Sequence, residues 1–279
     1  MILTSSSRTL GNTFYFCKAL IISVYFFVGH TGFEPVTSAL SRRHSEPTEL
    51  MTQKDSKINK LVLITLCLYF HNMIYYSRDD IDNLDKIFRL NMINSCTGFK
   101  SANLLATKST SGNTNVAVFS SITHLGSNPP LIGFILRPTT VPRDTYKNIK
   151  DTGVFTVNHI TKNQVEDAHH TSAKYSSDIS EFDKTALEEE YLNNFHAPYV
   201  KNCNVKLGCK FLEEYYIKEN DTLLLVSEIM HIYIIDNKIQ EKDGWLNLQT
   251  AKSVTINGLD GYLSTKLIDR FPYARPKKS

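Results

Sequence analysis

The 279-residue chain lacks the signature motifs of several large enzyme classes. Its 12 glycines form neither Gly-x-Gly-x-x-Gly nor Gly-x-x-x-x-Gly-Lys-Ser/Thr, so the phosphate-binding loops of Rossmann and P-loop proteins are missing. Gly-x-Ser-x-Gly is also absent, which removes the nucleophile of an α/β-hydrolase. These absences argue against a Rossmann dehydrogenase and against a hydrolase.

The sequence offers equally little support for metal or thiol chemistry. Its five cysteines are odd in number and include no Cys-x-x-Cys, which is typical of a reducing cytosol, so we predict a cytoplasmic protein. None of the nine histidines belongs to a His-Glu-x-x-His motif, and the adjacent His169 and His170 point to different faces of any regular element. We therefore predict no metal site.

Charge of one sign and long apolar runs are also scarce. With 31 Lys+Arg against 28 Asp+Glu the net charge is +3, and residues 1–72 account for all of it, so we predict no nucleic-acid partner. The two longest mostly apolar runs, residues 19–28 and 61–70, are half the length of about 20 residues that a membrane-spanning helix needs. We therefore predict no membrane partner, and the 42% hydrophobic content predicts one globular domain with a substantial core.

The first 72 residues differ in character from the rest of the chain. Residues 31–43 resemble the protein reading of a tRNA gene, whose T-arm encodes Gly-Phe-Glu-Pro, and later methionines are available as internal starts, of which we favour Met73. We predict that residues 1–72 are a non-native or disordered extension and that one domain spans residues 73–279. A genuine membrane anchor or regulatory segment is the alternative.

Hydrophobic patterning predicts a mainly β fold, a β-barrel with flanking helices. Apolar and polar residues alternate over residues 205–211, and a second run over residues 222–235, after a turn at 219–221, is apolar on both faces. A strand that is apolar on both faces indicates helices or a second subunit packed outside the barrel. The same patterning predicts strands at 102–107, 114–121, 131–136 and 154–160, a short helix behind Asp79-Asp80, and a helix at 145–150 that Asp144 caps and Gly153 ends.

Two neighbouring stretches carry polar side chains suited to an anionic ligand. Residues 115–130 are rich in hydroxyls, which together with free strand-end N–H groups hold phosphates or the edges of planar heterocycles, although a Ser/Thr-rich edge strand has the same composition. Downstream, two guanidiniums and three hydroxyls stand at the start of a predicted helix, a combination that binds a phosphate dianion. A surface ion pair of Arg143 with Asp144 or Asp151 is the alternative. The five residues are Arg137, Thr139, Thr140, Arg143 and Thr145.

Five segments, taken in chain order, are similar to those of one known family. The Ser/Thr row that ends in Pro129-Pro130, followed by Arg-Pro and Arg-x-Thr, is the most specific part of the pattern. With these motifs the sequence resembles the flavin reductase-like family, the FMN-binding split β-barrels, over essentially all of residues 73–279. The five segments are residues 89–95, 97–104, 119–130, 137–143 and 271–276.

The resemblance implies a six-stranded split barrel that forms a homodimer, with one FMN near each subunit junction. It also implies an NAD(P)H-dependent flavin reductase, in which NADH or NADPH supplies hydride and oxygen, free flavin or a partner oxygenase receives the electrons. Because the flavin carries the redox chemistry, we assign no catalytic residue. By position, the flavin ring edge or ribityl chain would contact Asn115, Ser120, Ser121 and Thr123, and the phosphate would contact Arg137, Thr140, Arg143 and Thr145.

Two other functions fit the same sequence. One is a non-enzymatic FMN-binding electron carrier or flavin-binding module that has no room for a nicotinamide. The other, a membrane-anchored interaction protein, requires residues 1–72 to be genuine. Extra residues around Leu125-Gly126 depart from the family's spacing and leave the contact of Thr123 open. Residues 169–175 occupy the region that the family places near the flavin or its substrate, and we assign them no role.

Overall fold

The computed structural model describes residues 73–138 and 140–277, so the predicted extension over residues 1–72 lies outside the described residues. The described chain is mainly β, which confirms the predicted fold class. Its helices are α1 (Arg78–Asp82), α2 (Lys86–Cys96), α3 (Asp144–Thr152) and α4 (Val165–His170). Its strands are β1 (Lys100–Ser101), β2 (Asn103–Lys108), β3 (Thr114–Phe119), β4 (Thr123–Ser127), β5 (Pro130–Leu136), β6 (Val154–His159), β7 (Glu189–Glu190), β8 (Tyr199–Val200), β9 (Val205–Ile217), β10 (Thr222–Ile234), β11 (Val254–Asn257) and β12 (Gly261–Ser264).

The principal sheet has seven antiparallel strands in the order β3-β2-β6-β9-β10-β5-β4. Its two edge strands, β3 and β4, are consecutive in the chain, so residues 120–122 join one edge of the sheet to the other. The Ser121 hydroxyl bridges this link to β5, accepting from the Ile135 N–H at 3.1 Å and donating to the Ile135 carbonyl at 3.2 Å. The sheet therefore curls into a barrel whose first and last strands stay unpaired with each other.

The barrel interior is filled by large apolar side chains from strands that are distant in sequence. Phe134 of β5 is fully buried, and its ring meets Phe119 of β3 and Phe155 of β6 edge-on, each at a centroid distance of 5.5 Å. Edge-to-face pairs at this distance add to the stabilisation that burial provides. A second core lies on the other face of β2, where Leu104 and Ala106 pack with Ile256 of β11. Because both of its faces are buried, β2 is the structural centre of the fold.

The long hairpin of β9 and β10 matches the alternating pattern that predicted it. Each strand has 13 residues, and the connecting turn places Asp221 at a φ of 57°, in the left-handed region that Asp tolerates better than bulky residues do. Two register shifts between the strands increase the local twist.

Three local predictions need correction. The helix behind Asp79-Asp80 is two helices, because Ser77 caps α1 and the Asp85 carboxylate caps α2 by accepting from the Ile87 and Phe88 N–H groups. Asp144 is the first residue of α3 and not its N-cap. The N-cap is Arg143, whose side chain makes no capping hydrogen bond. Strand β4 was not predicted, and it raises the sheet from the six strands that the resemblance implied to seven. Gly153, at φ 74°, ends α3 as predicted.

Protonation of His159, at the end of β6, is expected to weaken the fold in mild acid. Burial lowers the pKa of its imidazole to about 4, from an ordinary value near 6.5. Between pH 6.5 and pH 4 the imidazole of His159 is therefore protonated in the unfolded chain but stays neutral in the folded chain. This contribution to stability is complete above pH 6.5 and is lost as the pH falls toward 4.

We expect wild type to lose about 2 kcal/mol more unfolding free energy between pH 8 and pH 5 than His159→Gln does, as measured by urea denaturation at the two pH values. His124→Gln, which alters an exposed histidine of β4, is the control and should lose as much as wild type does. Equal losses in wild type and His159→Gln would show that His159 does not drive this pH dependence.

Candidate functional site

The N-terminus of α3 is a candidate binding position for an anion, because its backbone donors are uncapped. Helix geometry leaves the first amide N–H groups, those of Asp144, Thr145 and Tyr146, without an intrahelical acceptor, and Arg143 at the N-cap provides no side-chain acceptor. The same end carries the positive pole of the helix dipole. Free donors and positive potential together favour an anionic ligand at this position.

Arg143 adds a cation whose own hydrogen bonding is incomplete. Its side chain is partly buried, and the Nε atom is fully buried and has no hydrogen-bond partner among the described residues. Asp151, considered as an ion-pair partner from the sequence, pairs with Lys147 instead, at 2.6 Å. A buried guanidinium N–H without an acceptor is costly unless a ligand supplies one. The site therefore fits a phosphate, which offers several charged acceptor oxygens.

Two buried hydrogen bonds fix α3 on the sheet. The Asn115 side-chain amide of β3 donates to the Thr145 hydroxyl at 3.0 Å, and the Asn148 amide donates to the Thr107 hydroxyl of β2 at 3.0 Å. All four side chains are buried, so each bond is shielded from water. The bonds hold the start of the helix in one position against β2 and β3.

Removal of the second of these bonds is expected to destabilise the fold. Asn148→Ala would leave the buried Thr107 hydroxyl unpaired, which costs about 1–3 kcal/mol of unfolding free energy. Chemical denaturation measures the change. Asn91→Ala, at an exposed asparagine of α2, is the matched control and should cost nothing measurable. A loss below about 0.5 kcal/mol for Asn148→Ala would mean that the helix is held by other contacts.

The remaining predicted site residues occupy two adjoining loops. Ser120 and Ser121 lie in the link between β3 and β4, and Arg137 and Thr140 are exposed in the segment between β5 and α3. Since Ser121 bonds to Ile135, two residues before Arg137, the two loops meet at the same end of β5. The Ser121 hydroxyl thus hydrogen-bonds to the main chain of β5.

Thr123 is set apart from this group. It begins β4 as an exposed residue opposite Gly133. Arg137 comes four positions after Gly133, which corresponds to about 13 Å of extended chain. The structure therefore joins Asn115 to Thr145, two residues after Arg143, by a hydrogen bond. It places Ser121 near Arg137 and leaves Thr123 farther along the sheet.

The open edge of β3 is covered by side chains that the sequence did not single out. The Val116 N–H donates to Glu181 at 3.1 Å, and the Val118 N–H donates to the Thr171 hydroxyl at 2.9 Å. Desolvation is the main cause that raises the pKa of the Glu181 carboxyl, and the nearby Asp144 charge raises it further. These bonds occupy backbone N–H groups that the edge strand would otherwise expose unpaired.

The Thr171 contact also places the end of α4 beside β3. His169 and His170 are both exposed there, and the His170 Nε2 lies 2.7 Å from the Tyr175 hydroxyl. Thr107, Asn148 and Glu181 were missed because a polar residue in an apolar strand or on a short helix gives no indication of its distant partner. No group of three or more His, Cys, Asp or Glu side chains arranged for a metal occurs in the described chain.

Comparison with known proteins gives one consistent result. The family model of the flavin reductase like domain matches residues 98–255. A candidate flavin reductase with a split barrel domain from Shewanella frigidimarina NCIMB 400 is 42% identical in sequence, with a TM-score of 0.70 over 72% of this chain and 100% of that chain. An uncharacterized protein from Aquifex aeolicus is 28% identical over 159 residues, which are 56% of this chain and 79% of its own length.

A more distant structure shares the fold alone. Nitrilotriacetate monooxygenase component B from Bacillus cereus is 18% identical, with a TM-score of 0.61 over 72% of this chain and 98% of that chain. The split barrel implied by the sequence motifs is confirmed by these structural matches. Among the helices of the described residues, none has the length and hydrophobicity needed to cross a bilayer.

Proposed function

This chain belongs to the flavin reductase-like family of split-barrel flavoproteins, and from that premise we propose that it is a homodimeric, FMN-dependent reductase that takes hydride from NADH or NADPH. Family membership supports flavin-related oxidoreductase chemistry. The nicotinamide donor, the dimer and the residues that contact FMN are our proposal.

The observation that carries the proposal is the incomplete hydrogen bonding of Arg143 at the start of α3. A buried guanidinium N–H without an acceptor stands beside free helix N–H groups. We propose that Arg143 and the α3 N-terminus bind the FMN phosphate, with Arg137 and Thr140 contributing from the preceding loop. Asn115 and Asn148 act as positioning residues, because their amides hold the helix that presents these donors.

The redox chemistry, namely hydride acceptance from NAD(P)H and electron delivery, would come from FMN when it is bound. The protein's part is to orient and to select. Ser120, Ser121 and Thr123 line the link and the strand that follow β3, where their hydroxyls would meet the ring edge or ribityl chain. We propose that reduced flavin serves oxygen, free flavin or a partner oxygenase; the last is consistent with the fold shared with a monooxygenase component.

The outer surface of the barrel supports the proposed homodimer. Leu125 and Leu224 lie over Gly133, where an added Cβ would meet their side chains at 2.9 Å and 3.2 Å. Strand register adds Tyr215 and Ile135, each paired with Leu224, to the same face. We call this surface, formed by Leu125, Leu131, Ile135, Tyr215, Leu224 and Val226, the open face. Leu125 is 45% and Tyr215 57% exposed, so the open face is an apolar surface that a second copy would cover.

The proposed compartment is the cytoplasm. The described cysteines, Cys96, Cys203 and Cys209, are all free, and burial raises the pKa of the Cys203 thiol to about 12. Buried thiols with raised pKa values are unreactive, which fits a reducing environment in which no disulfide is required.

The proposal is tested on the purified full chain. We expect a yellow protein that retains FMN on gel filtration and that, once stripped of FMN, consumes NADH or NADPH in proportion to the FMN restored to it. Tight FMN binding without nicotinamide consumption would replace the reductase with a flavin-binding electron carrier. Consumption that is equal with and without FMN would contradict the flavin dependence.

A further inference from the structure

The C-terminal segment of the described chain exposes apolar side chains far more than a folded protein normally does. Residues 265–277, which we call the arm, follow β12 and contain no helix or strand. Within the arm, Ile268 is 97%, Phe271 82% and Tyr273 86% exposed. Large apolar residues so close together and so exposed lose the stabilisation that burial provides, and such patches mark interaction sites.

The arm is attached to the body at a defined point. Arg270 forms an ion pair with Asp243 at 2.6 Å and lies over the Trp245 ring at 4.4 Å, and the Leu267 N–H donates to the Gln249 side chain at 2.9 Å. Phe271 and Tyr273 therefore follow closely after Arg270, a residue that is held against the domain by these contacts. A segment fixed at its root has less conformational entropy to lose when it docks.

The arm and the open face are complementary in both polarity and charge. The arm carries Lys266, Arg275 and Lys277, and Arg275 stacks over the Tyr273 ring at 5.5 Å. On the open face Glu213 pairs with Val226 in the strand register, whereas Glu228, which pairs with Leu131 of β5, stands directly opposite Lys210 of β9. Aromatic anchors with basic flanks therefore match an apolar surface that has an acidic position at Glu213.

We propose that the arm of one copy docks on the open face of a second copy, and that the exchange is reciprocal. This inference rests on the proposed homodimer and names the element that holds it together. The arm does not bury its own apolar side chains within its own chain, and Leu125 and Tyr215 of the same chain stay exposed. Two copies related by a two-fold axis would satisfy both surfaces twice.

The size of the contact is adequate for such a role. Three large apolar side chains bury roughly 500 Å² on each arm, and two arms with the surfaces they cover reach the roughly 1,600 Å² of a standard protein interface. The contact buries the exposed residues of the arm and of the open face in one step.

The test uses two variants of the full chain and their mixture in sedimentation equilibrium. One variant lacks residues 266–279, and the other carries Tyr215→Ser and Glu213→Lys on the open face. We expect each variant alone to weaken dimerisation at least tenfold. The mixture should recover part of that loss, because a mixed dimer keeps one intact arm and one intact face. A mixture no tighter than its components, or an arm deletion without effect, would overturn the inference.

A charge-reversal pair keeps the test independent of folding defects. Arg275→Glu and Glu213→Lys should each weaken the dimer, and the double variant should regain affinity; a double variant weaker than both singles contradicts the proposed contact. FMN titration of the same samples separates the two proposals. A wild-type chain that stays monomeric refutes the homodimer itself, whereas a dimer that is unchanged by arm deletion and still binds FMN refutes only the arm.

Discussion

Arg143→Gln is expected to weaken FMN binding about 10- to 100-fold, as measured by quenching of flavin fluorescence or by calorimetry. The substitution removes the charge and the terminal Nη donors, and it shortens the side chain so that its neutral amide ends where the buried Nε lies in arginine. Hydrogen bonds to charged groups contribute about 1.5–3 kcal/mol each, which corresponds to this range of affinity. Stability without flavin should change little, because the buried Nε has no hydrogen bond to lose among the described residues.

Lys147→Gln is the matched control for this prediction. It removes one positive charge from the same helix, one turn farther on, where the ammonium is exposed and paired with Asp151. We expect less than a twofold change in FMN affinity, since exposed charges contribute little. If both variants weaken binding equally, the effect is one of overall charge, and the phosphate does not lie against Arg143.

Phe134→Ala is expected to lower the free energy of unfolding by about 3–5 kcal/mol, the cost typical of a fully buried phenylalanine. The ring joins β5 to β3 and β6 through its contacts with Phe119 and Phe155. Removing it leaves a cavity between strands that are far apart in sequence, and such cavities collapse poorly. Urea unfolding monitored by circular dichroism gives the value.

Phe99→Ala separates burial from residue type. Phe99 lies just before β1 and is 63% exposed, so the same chemical change should shift stability by no more than about 0.5 kcal/mol. A loss below about 1 kcal/mol for Phe134→Ala would show that the barrel interior is less tightly packed than the aromatic contacts indicate.

Strong periodic signals in the sequence predicted the fold well. The alternation over residues 205–211 identified the start of β9, and a run that is apolar on both faces identified β10. Gly153 ended α3 as predicted, because an αL cap favours glycine. Strand β4 was not predicted, because residues 123–127 include a glycine and few β-branched residues. A register shift between His124 and Gly126 breaks the alternation further.

The candidate site was only partly accessible to sequence reasoning. Arg143 and Thr145 stand next to a helix start, so local sequence was enough to predict them as anion ligands. The Asn148–Thr107 bond spans 41 positions and the Val116–Glu181 bond spans 65, and no local pattern connects such residues. The helix-positioning contacts therefore emerge only from the packed structure.

The proposed phosphate site is tested most directly by measuring the affinity of the wild-type chain for FMN and for riboflavin. Riboflavin has the same ring and ribityl chain but no phosphate. We expect FMN to bind at least tenfold more tightly than riboflavin, with the preference shrinking toward unity in Arg143→Gln. Equal affinities for the two flavins in wild type would contradict the phosphate site at the start of α3.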